Sequence, residues 1–431
     1  MFEFLNPFST KTKPKPEQTP IQPQYTSTQT ATPPENPDDY DEFDSPYPPK
    51  QPPNTLPNVT ESPRASDLPQ NPQPSAPAKR MPKFRRALDK LPNRNTTTID
   101  FEIIKTIYDF NFLSSTQLLK LINADRQTIY KHLQTLYHQQ LINRVHFPTA
   151  FVAGEFYYYL DNTQALDLLI TETDHQKQDF NYEEIRRNKQ KAYGDMHLDE
   201  SQNTGNAGKQ LFLRHETMIS RFHVALELAT RATDGQVKIK TWKEGAELYN
   251  YAIAPKYNLT KHKDQNNQTQ TNYQEHETET EKIPHRPDAF FTLIFPKEPD
   301  KADNSFFYEA DRKTTSTPKL NKKLRGHYHA VVRQKLHQQA PYTVPSIRAV
   351  LIETTSYQWA EHIHQEAHSK TVSPNQSKLF WFTCLDQLTK PEKTFKGKAQ
   401  SKKYPYLENP KNFFSRFWVA IGQDELYSLL D

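Results

Sequence analysis

Arg286-Pro287-Asp288-Ala289-Phe290-Phe291 and, further on, Phe306-Phe307-Tyr308-Glu309-Ala310-Asp311-Arg312-Lys313 are two short apolar runs with carboxylates at their edges. Apolar runs of this length, bounded by turn residues, suit strands buried on both faces. Behind the second run lies a strongly basic helical pattern, Lys319 to Lys335, free of acidic residues. Carboxylates that can converge on a divalent cation beside a basic surface suit phosphodiester chemistry or phosphate-backbone binding. Outward from this pair, strands are predicted at Ala289–Phe295, Ser305–Ala310, Ile347–Glu353 and Leu379–Cys384. Helices are predicted at Leu320–Leu336 and near Trp359–His368. The spacing of Leu320, Leu324, Tyr328, Val331 and Val332 marks one buried helix face. With a helix at 211–229 and a strand at Val237–Trp242 upstream, the alternation implies an α/β sheet with a right-handed crossover, α+β over the whole chain.

N-terminal to this region the pattern becomes helical. Asp100 to Tyr108 has apolar residues at helical spacing, and Ser114-Ser115 opens a short amphipathic helix ending at Ile122. Asn123-Ala124-Asp125 supplies a turn and a second N-cap before the helix Arg126 to Tyr137. Ile129, Leu133 and Leu136 of that helix face a core, leaving Arg126, Gln127, Thr128, Tyr130, Lys131 and Gln134 outward. Strands at Leu141–Phe147 and Glu155–Leu160, joined through Gly154, complete a winged helix-turn-helix. Its second motif helix would enter a major groove, with Arg144 on the wing. Such modules also dock on proteins, so double-stranded DNA and protein partners both stay open.

Composition sets the limits. The chain has 431 residues, 34% hydrophobic, with a mean hydropathy of -0.92. The polar excess is local, because residues 1–95 hold 21 of the 34 prolines. We expect a disordered Pro/Gln-rich tail over 1–97. Its basic end, Lys79 to Arg86, is either a phosphate-tracking arm or a solvated linker. The remaining divisions are a winged helix-turn-helix at 98–170, a linker at 171–210 and an α/β domain at 211–431 with a polar insertion at 256–284. Net charge is only +4 and decides nothing about partners. One cysteine, Cys384, excludes internal disulfides and sits in an apolar run as a buried thiol. The start of the chain lacks a signal-peptide pattern, and no apolar run nears the ~18 residues of a membrane span. A cytoplasmic location is expected.

These residues together resemble the replication-relaxation family of plasmid and mobile-element proteins. The likeness is carried by the helix-turn-helix at 100–145, Arg214-His215-Glu216, Arg286-Pro287-Asp288-Ala289, Tyr308-Glu309-Ala310-Asp311-Arg312, the Lys323–Tyr328 segment and the strand at 380–384. It spans roughly residues 98–420. The resemblance implies a winged helix followed by a restriction-endonuclease-like domain related to the PD-(D/E)xK nucleases, and a role in replication, relaxation or conjugative mobilisation with other replication or mobilisation proteins as partners. In such a site an Asp opens one strand, a Glu-x-Lys lies on the next, and the acids hold Mg²⁺ while the lysine orients the attacking water. Asp288 and Glu309 fit the acidic places. The third place is Asp311, which can bind metal but cannot replace an ammonium. Lys313, or Lys322 or Lys323 from the following helix, could supply it, and Glu216 a further acid. Two readings follow: a Mg²⁺-dependent DNA-nicking enzyme, or a non-enzymatic initiator or regulator on an inactive nuclease-like scaffold.

Other chemistries fit poorly. His362-Ile363-His364 and His327-Tyr328-His329 mimic a two-histidine relaxase signature, but both fall in predicted helices, where residues two apart diverge. None of the 22 tyrosines stands out as a nucleophile. Only 9 glycines occur and no phosphate-loop pattern appears, which disfavours ATPase and dinucleotide sites. A single cysteine disfavours a Cys/His zinc cluster.

Overall fold

The computed structural model describes residue 86 and residues 95–147, 155–193, 207–263, 269–312, 316–356, 358–363, 378–384, 392–396, 399–403, 405–420 and 426–431. All of them fall in the compact unit Ala78–Asp431. The expected disordered tail lies outside the described residues apart from Arg86 and residues 95–97, as do Gly154, Lys313 and His364.

The N-terminal part is α1 (Thr98–Phe110), β1 (Leu113–Ser114), α2 (Ser115–Leu121), α3 (Arg126–His138), β2 (Asn143–Phe147) and β3 (Glu155–Tyr159). Each helix start is set by a local hydrogen bond. The Thr97 amide and hydroxyl donate to Asp100 Oδ2 at 2.8 and 2.9 Å. Ser114 and Gln117 exchange bonds reciprocally, amide to Oε1 at 2.8 Å and amide to Oγ at 3.2 Å. Asp125 Oδ1 accepts the amides of Gln127 and Thr128 at 2.9 and 3.0 Å, the N-cap expected from the sequence. The strands pair in the order β1-β3-β2, all antiparallel. Ile103, Ile104, Ile107, Leu118, Ile129, Leu133 and Leu136 are buried between the three helices. The buried Asp100 carboxylate also meets His132 Nδ1 at 2.7 Å, tying α1 to α3.

The described residues of 171–210, expected as a linker, carry structure. After α4 (Gln164–Glu172) comes α5 (Tyr182–Tyr193), and α6 begins at Ala207 and runs to Arg231. Asn188 of α5 is buried and donates to Asn111 Oδ1 at 3.0 Å, which explains why a charged stretch stays helical there.

A seven-stranded mixed sheet follows, ordered β14-β13-β10-β9-β8-β7-β4. Its members are β4 (Lys238–Glu244), β7 (Ala289–Ile294), β8 (Asn304–Asp311), β9 (Ala349–Thr354), β10 (Phe380–Thr383), β13 (Trp418–Ala420) and β14 (Leu426–Tyr427). β8, β9 and β10 run parallel, and the other pairs are antiparallel. β7, β8, β9 and β10 are buried on both faces, as continuous apolar runs require. Side chains alternate, so Phe306, Tyr308 and Ala310 face α6, while Phe307 joins Leu320 and Leu324 of α7 (Thr317–Tyr328) on the other side. Cys384 is buried, as its apolar setting predicts.

Two further expectations are corrected. The polar insertion is a long antiparallel hairpin, β5 (Asn250–Lys263) with β6 (Thr269–His285). Backbone pairing holds it without an apolar pattern. The basic helix also does not run straight to Leu336. It ends at Tyr328 and continues as a π-helical turn, His329–Arg333, which buries Val331 but leaves Val332 43% exposed. Two small pieces complete the described chain, the hairpin β11 (Glu392–Lys396) with β12 (Ala399–Lys403), and the helical turns at 405–414 packed against α6.

Candidate functional site

The antiparallel register pairs Ala289 with Tyr308, which sets Asp288 beside Glu309 where β7 begins and β8 ends. The Asp288 amide donates to the Tyr308 carbonyl at 3.0 Å, and the Ala310 amide donates to Asp288 Oδ2 at 2.8 Å. Asp288 and Glu309 thereby stand near enough for the charge of one to act on the other. α7 completes the group from above the sheet. Lys323 Nζ pairs with Glu309 Oε2, and one turn on, His327 Nε2 lies 2.5 Å from Glu309 Oε1. α6 supplies His215, whose Nε2 is 3.3 Å from Asp288 Oδ2 and whose Nδ1 is 3.8 Å from Glu216 Oε1.

Burial and charge set the protonation states. Burial pushes the Glu309 carboxyl well above the usual range, and the Asp288 charge adds to this against the pull of Lys323. Burial acts to raise Asp288 too, but the cations of His215 and Lys323 outweigh it and hold that carboxyl well below the ordinary range. His215 is raised to about 10, because Asp288 and Glu216 overcome the cost of burying its charge. His327 is lowered to about 3 by burial, with Lys323 acting in the same direction, so it is a neutral imidazole.

The other face of β8 carries a second polar group. The Tyr308 hydroxyl donates to Glu353 Oε2 at 2.5 Å, and Arg221 Nη2 lies 3.8 Å from Glu353 Oε1. Burial and then the Glu353 charge push the Tyr308 phenol far up, so it stays a donor. Arg312 is lowered by burial and by the positive charges of Arg214 and Arg221, which places three guanidiniums at this end of the sheet.

The residues read from sequence divide accordingly. Asp288, Glu309 and Lys323 come together, while Lys322 faces solvent. Asp311 does not join them in one metal-holding group. Its carboxylate accepts from the Trp359 indole, and among the described residues no three His, Cys, Asp or Glu side chains are placed to hold an ion. Glu216 lies beside the site, its carboxylate 3.8 Å from His215 Nδ1. His215 and His327 belong to the site without a sequence motif that marks them. The usable signal was the spacing of Lys323 and His327, which at i,i+4 share a helix face. Of the relaxase-like pairs, His327 and His329 lie at the end of α7 and in the π-helical turn, and His362 stacks on Trp359 in a helix.

On α3, Arg126, Gln127, Tyr130, Lys131 and Gln134 are exposed, and Thr128 is half-buried by its bond to Asp125. Arg144 is held between rings, 3.9 Å from the Tyr137 centroid and 4.6 Å from that of Phe156. Arg86, the end of the basic arm, donates to the Tyr137 and Ile142 carbonyls at 3.3 and 3.4 Å. The basic stretch after β8 is divided too. Lys319, Lys322, Arg333 and Lys335 are exposed, whereas Arg325 is taken up by Glu281 and the Pro255 carbonyl at 3.1 and 2.7 Å. No described helix is long and apolar enough to cross a membrane.

A family model described as replication-relaxation matches residues 104–347, more than half of the chain. The match runs from within α1 through α7 and takes in both carboxylates of the site. No curated protein and no solved structure matches the chain.

Proposed function

Since the chain belongs to the replication-relaxation family, we propose that it acts on plasmid or other mobile-element DNA and cuts a phosphodiester bond at Asp288, Glu309 and Lys323. The observation that carries this reading is the pairing of the Lys323 ammonium with Glu309, which the strand register sets beside Asp288. With the β5–β6 hairpin set aside as an insertion between β4 and β7, the order helix, strand, strand, strand, helix, strand (α6, β4, β7, β8, α7, β9) supports a PD-(D/E)xK-like reading. Lys323 reaches from α7 into the place that Asp311 occupies in the strand motif. Mg²⁺ suits two carboxylates, because it keeps several waters and takes its remaining ligands from substrate phosphate. Asp288 and Glu309 would hold it, and bound there it would supply charge neutralisation and a more acidic water. Lys323 would orient the attacking water or stabilise charge on the phosphate. His327 keeps Glu309 in one rotamer, and His215 does the same for Asp288.

The three helices and three-stranded sheet of the N-terminal part form, in this reading, a winged helix that finds the DNA site. Arg126, Gln127, Lys131 and Gln134 on the exposed face of α3 carry groups suited to base edges and phosphates. Arg144 is fixed by two rings and serves the wing as a positioned cation.

One observation favours a second reading. Each carboxylate already has partners within the chain, His215 on Asp288 and His327 with Lys323 on Glu309. A site so paired suits a DNA-binding initiator or regulator on an inactive scaffold. Incubating supercoiled plasmid with the full chain, with Mg²⁺ or Mn²⁺ or with EDTA, separates the two. Metal-dependent open circles, lost in Asp288→Asn and Lys323→Met while gel retardation persists, are expected. Retarded but uncut plasmid, equal in all three proteins, would assign the binding role.

A further inference from the structure

Tyr249 and Tyr251 stand 47% and 46% exposed at the start of β5, two residues apart and so on one face of the hairpin. Ala252 and Ala254, on the opposite face, are fully buried. Arg286 leaves the end of β6 beside them. Its guanidinium lies 5.3 Å from the Tyr249 ring centre and 5.9 Å from that of Tyr251, and it donates to the Tyr251 hydroxyl at 3.2 Å. Ile253 continues the stripe at 41% exposure, and Lys282 is exposed directly across the ladder from it. The π-helical turn bearing exposed Arg333 docks alongside, through Gln334, which accepts from the Ile253 amide at 3.1 Å. A tyrosine ring held open to solvent offers an apolar face with a polar tip, the combination favoured at interfaces.

We propose that Tyr249 and Tyr251, clamped by Arg286, form a stacking platform for unpaired bases of single-stranded DNA led past Asp288. Arg286 precedes Asp288 by two residues, so the clamp and the first carboxylate of the pair are neighbours along the same stretch of chain. Flat rings interleaved with cations suit single strands, because every base has a π face and every nucleotide a phosphate. A protein partner is the poorer fit to the charge. Lys282, Arg286 and Arg333 are all cationic, while Glu279 and Glu281 pair with Lys256 and Arg325, leaving Glu247 as an acid facing solvent close by. This inference rests on the DNA-acting reading above and adds the form of the substrate: a locally melted strand, not an intact duplex.

Fluorescence anisotropy of a labelled oligothymidylate with the full chain in EDTA tests it, beside a duplex of equal length. Tyr249→Ala/Tyr251→Ala should weaken single-strand binding by about 5- to 150-fold for each base stacked. The Phe/Phe pair should keep most of the affinity, since stacking needs the ring and not the hydroxyl. Duplex affinity, carried by α3, should be unchanged in both, which also reports an intact fold. Equal single-strand affinity in wild type and the alanine pair, or no oligothymidylate binding by the wild type, would overturn the proposal and leave this face to a protein partner. A parallel loss for duplex would overturn it too. EDTA silences metal-dependent cutting, so failure here and failure to nick plasmid are separate results.

Discussion

Lys323 and His327 show how one helix turn sets the chemistry of a residue two elements away. At i,i+4 both side chains leave the same face of α7 and meet the two oxygens of Glu309. Asp288 and Glu309 could be named from sequence, because each stands beside an apolar run whose strand character was plain. The histidines could not, because an imidazole becomes part of a site only through the tertiary neighbour that shares its proton. His215 makes this testable. Its charged form is stabilised in the fold up to about pH 10, above the ordinary imidazole value. A raised pKa gives stabilisation that is complete below about pH 6.5 and lost as pH rises through the folded value. The urea midpoint of the wild type should therefore fall between neutral pH and about 10 relative to His215→Gln, which lacks that component. Asp288→Asn should shrink the difference, since it removes the main partner. Parallel profiles for wild type and His215→Gln would show that Asp288 does not hold the imidazolium.

At the scale of elements, legibility followed hydrophobic pattern. β7, β8, β9 and α7 were readable, because each must bury a run or a face. The β5–β6 hairpin was not, since beyond Pro255 its sequence is almost wholly polar. What anchors it is contact with α7. Arg325 bonds Glu281 and the Pro255 carbonyl, one on each strand of the hairpin. Gly326 lies so close to β6 that a Cβ there would stand 2.5 Å from the Pro284 carbonyl oxygen and 3.2 Å from Ile283 Cγ2. Replacing glycine by alanine in a helix ordinarily gains about 1 kcal/mol. Here the nearest atom is backbone and cannot step aside, so the clash should win and Gly326→Ala should cost roughly 1–3 kcal/mol. A urea midpoint at or above that of the wild type would mean that α7 and β6 separate without cost. The same variant should lower plasmid nicking, because Lys323 and His327 flank the displaced residue.

For the whole unit 78–431, the sequence suggests two domains and a linker, but packing joins what pattern separates. One apolar cluster runs from Ile103 and Leu136 through Phe222 and Phe291 to Trp418 and Leu429. The seam is specific. Phe110 of α1 lies 4.3 Å from the His223 ring on α6, and His223 stacks on Trp242 of β4 at 3.8 Å. Arg231 of α6 donates to the Leu121 carbonyl at 2.7 Å, and Gln117 of α2 donates to the Tyr406 hydroxyl at 3.1 Å. Such links are invisible to a reading that searches segment by segment, because each partner is unremarkable within its own helix. They carry a consequence for cooperativity. All 4 tryptophans lie at Trp242 or beyond, so indole fluorescence reports only the sheet half of the unit. Phe110→Ala removes a buried ring from the helical half, at a cost of about 3–5 kcal/mol. If the halves unfold as one, the denaturant midpoint read from tryptophan emission should fall with that read from far-UV circular dichroism, the two curves remaining coincident. Independent halves would leave the tryptophan midpoint where it is and split the dichroism curve in two. The coupled outcome matters for function, since it would let DNA held on the α3 face keep a set distance from the Asp288–Glu309 pair without any hinge between them.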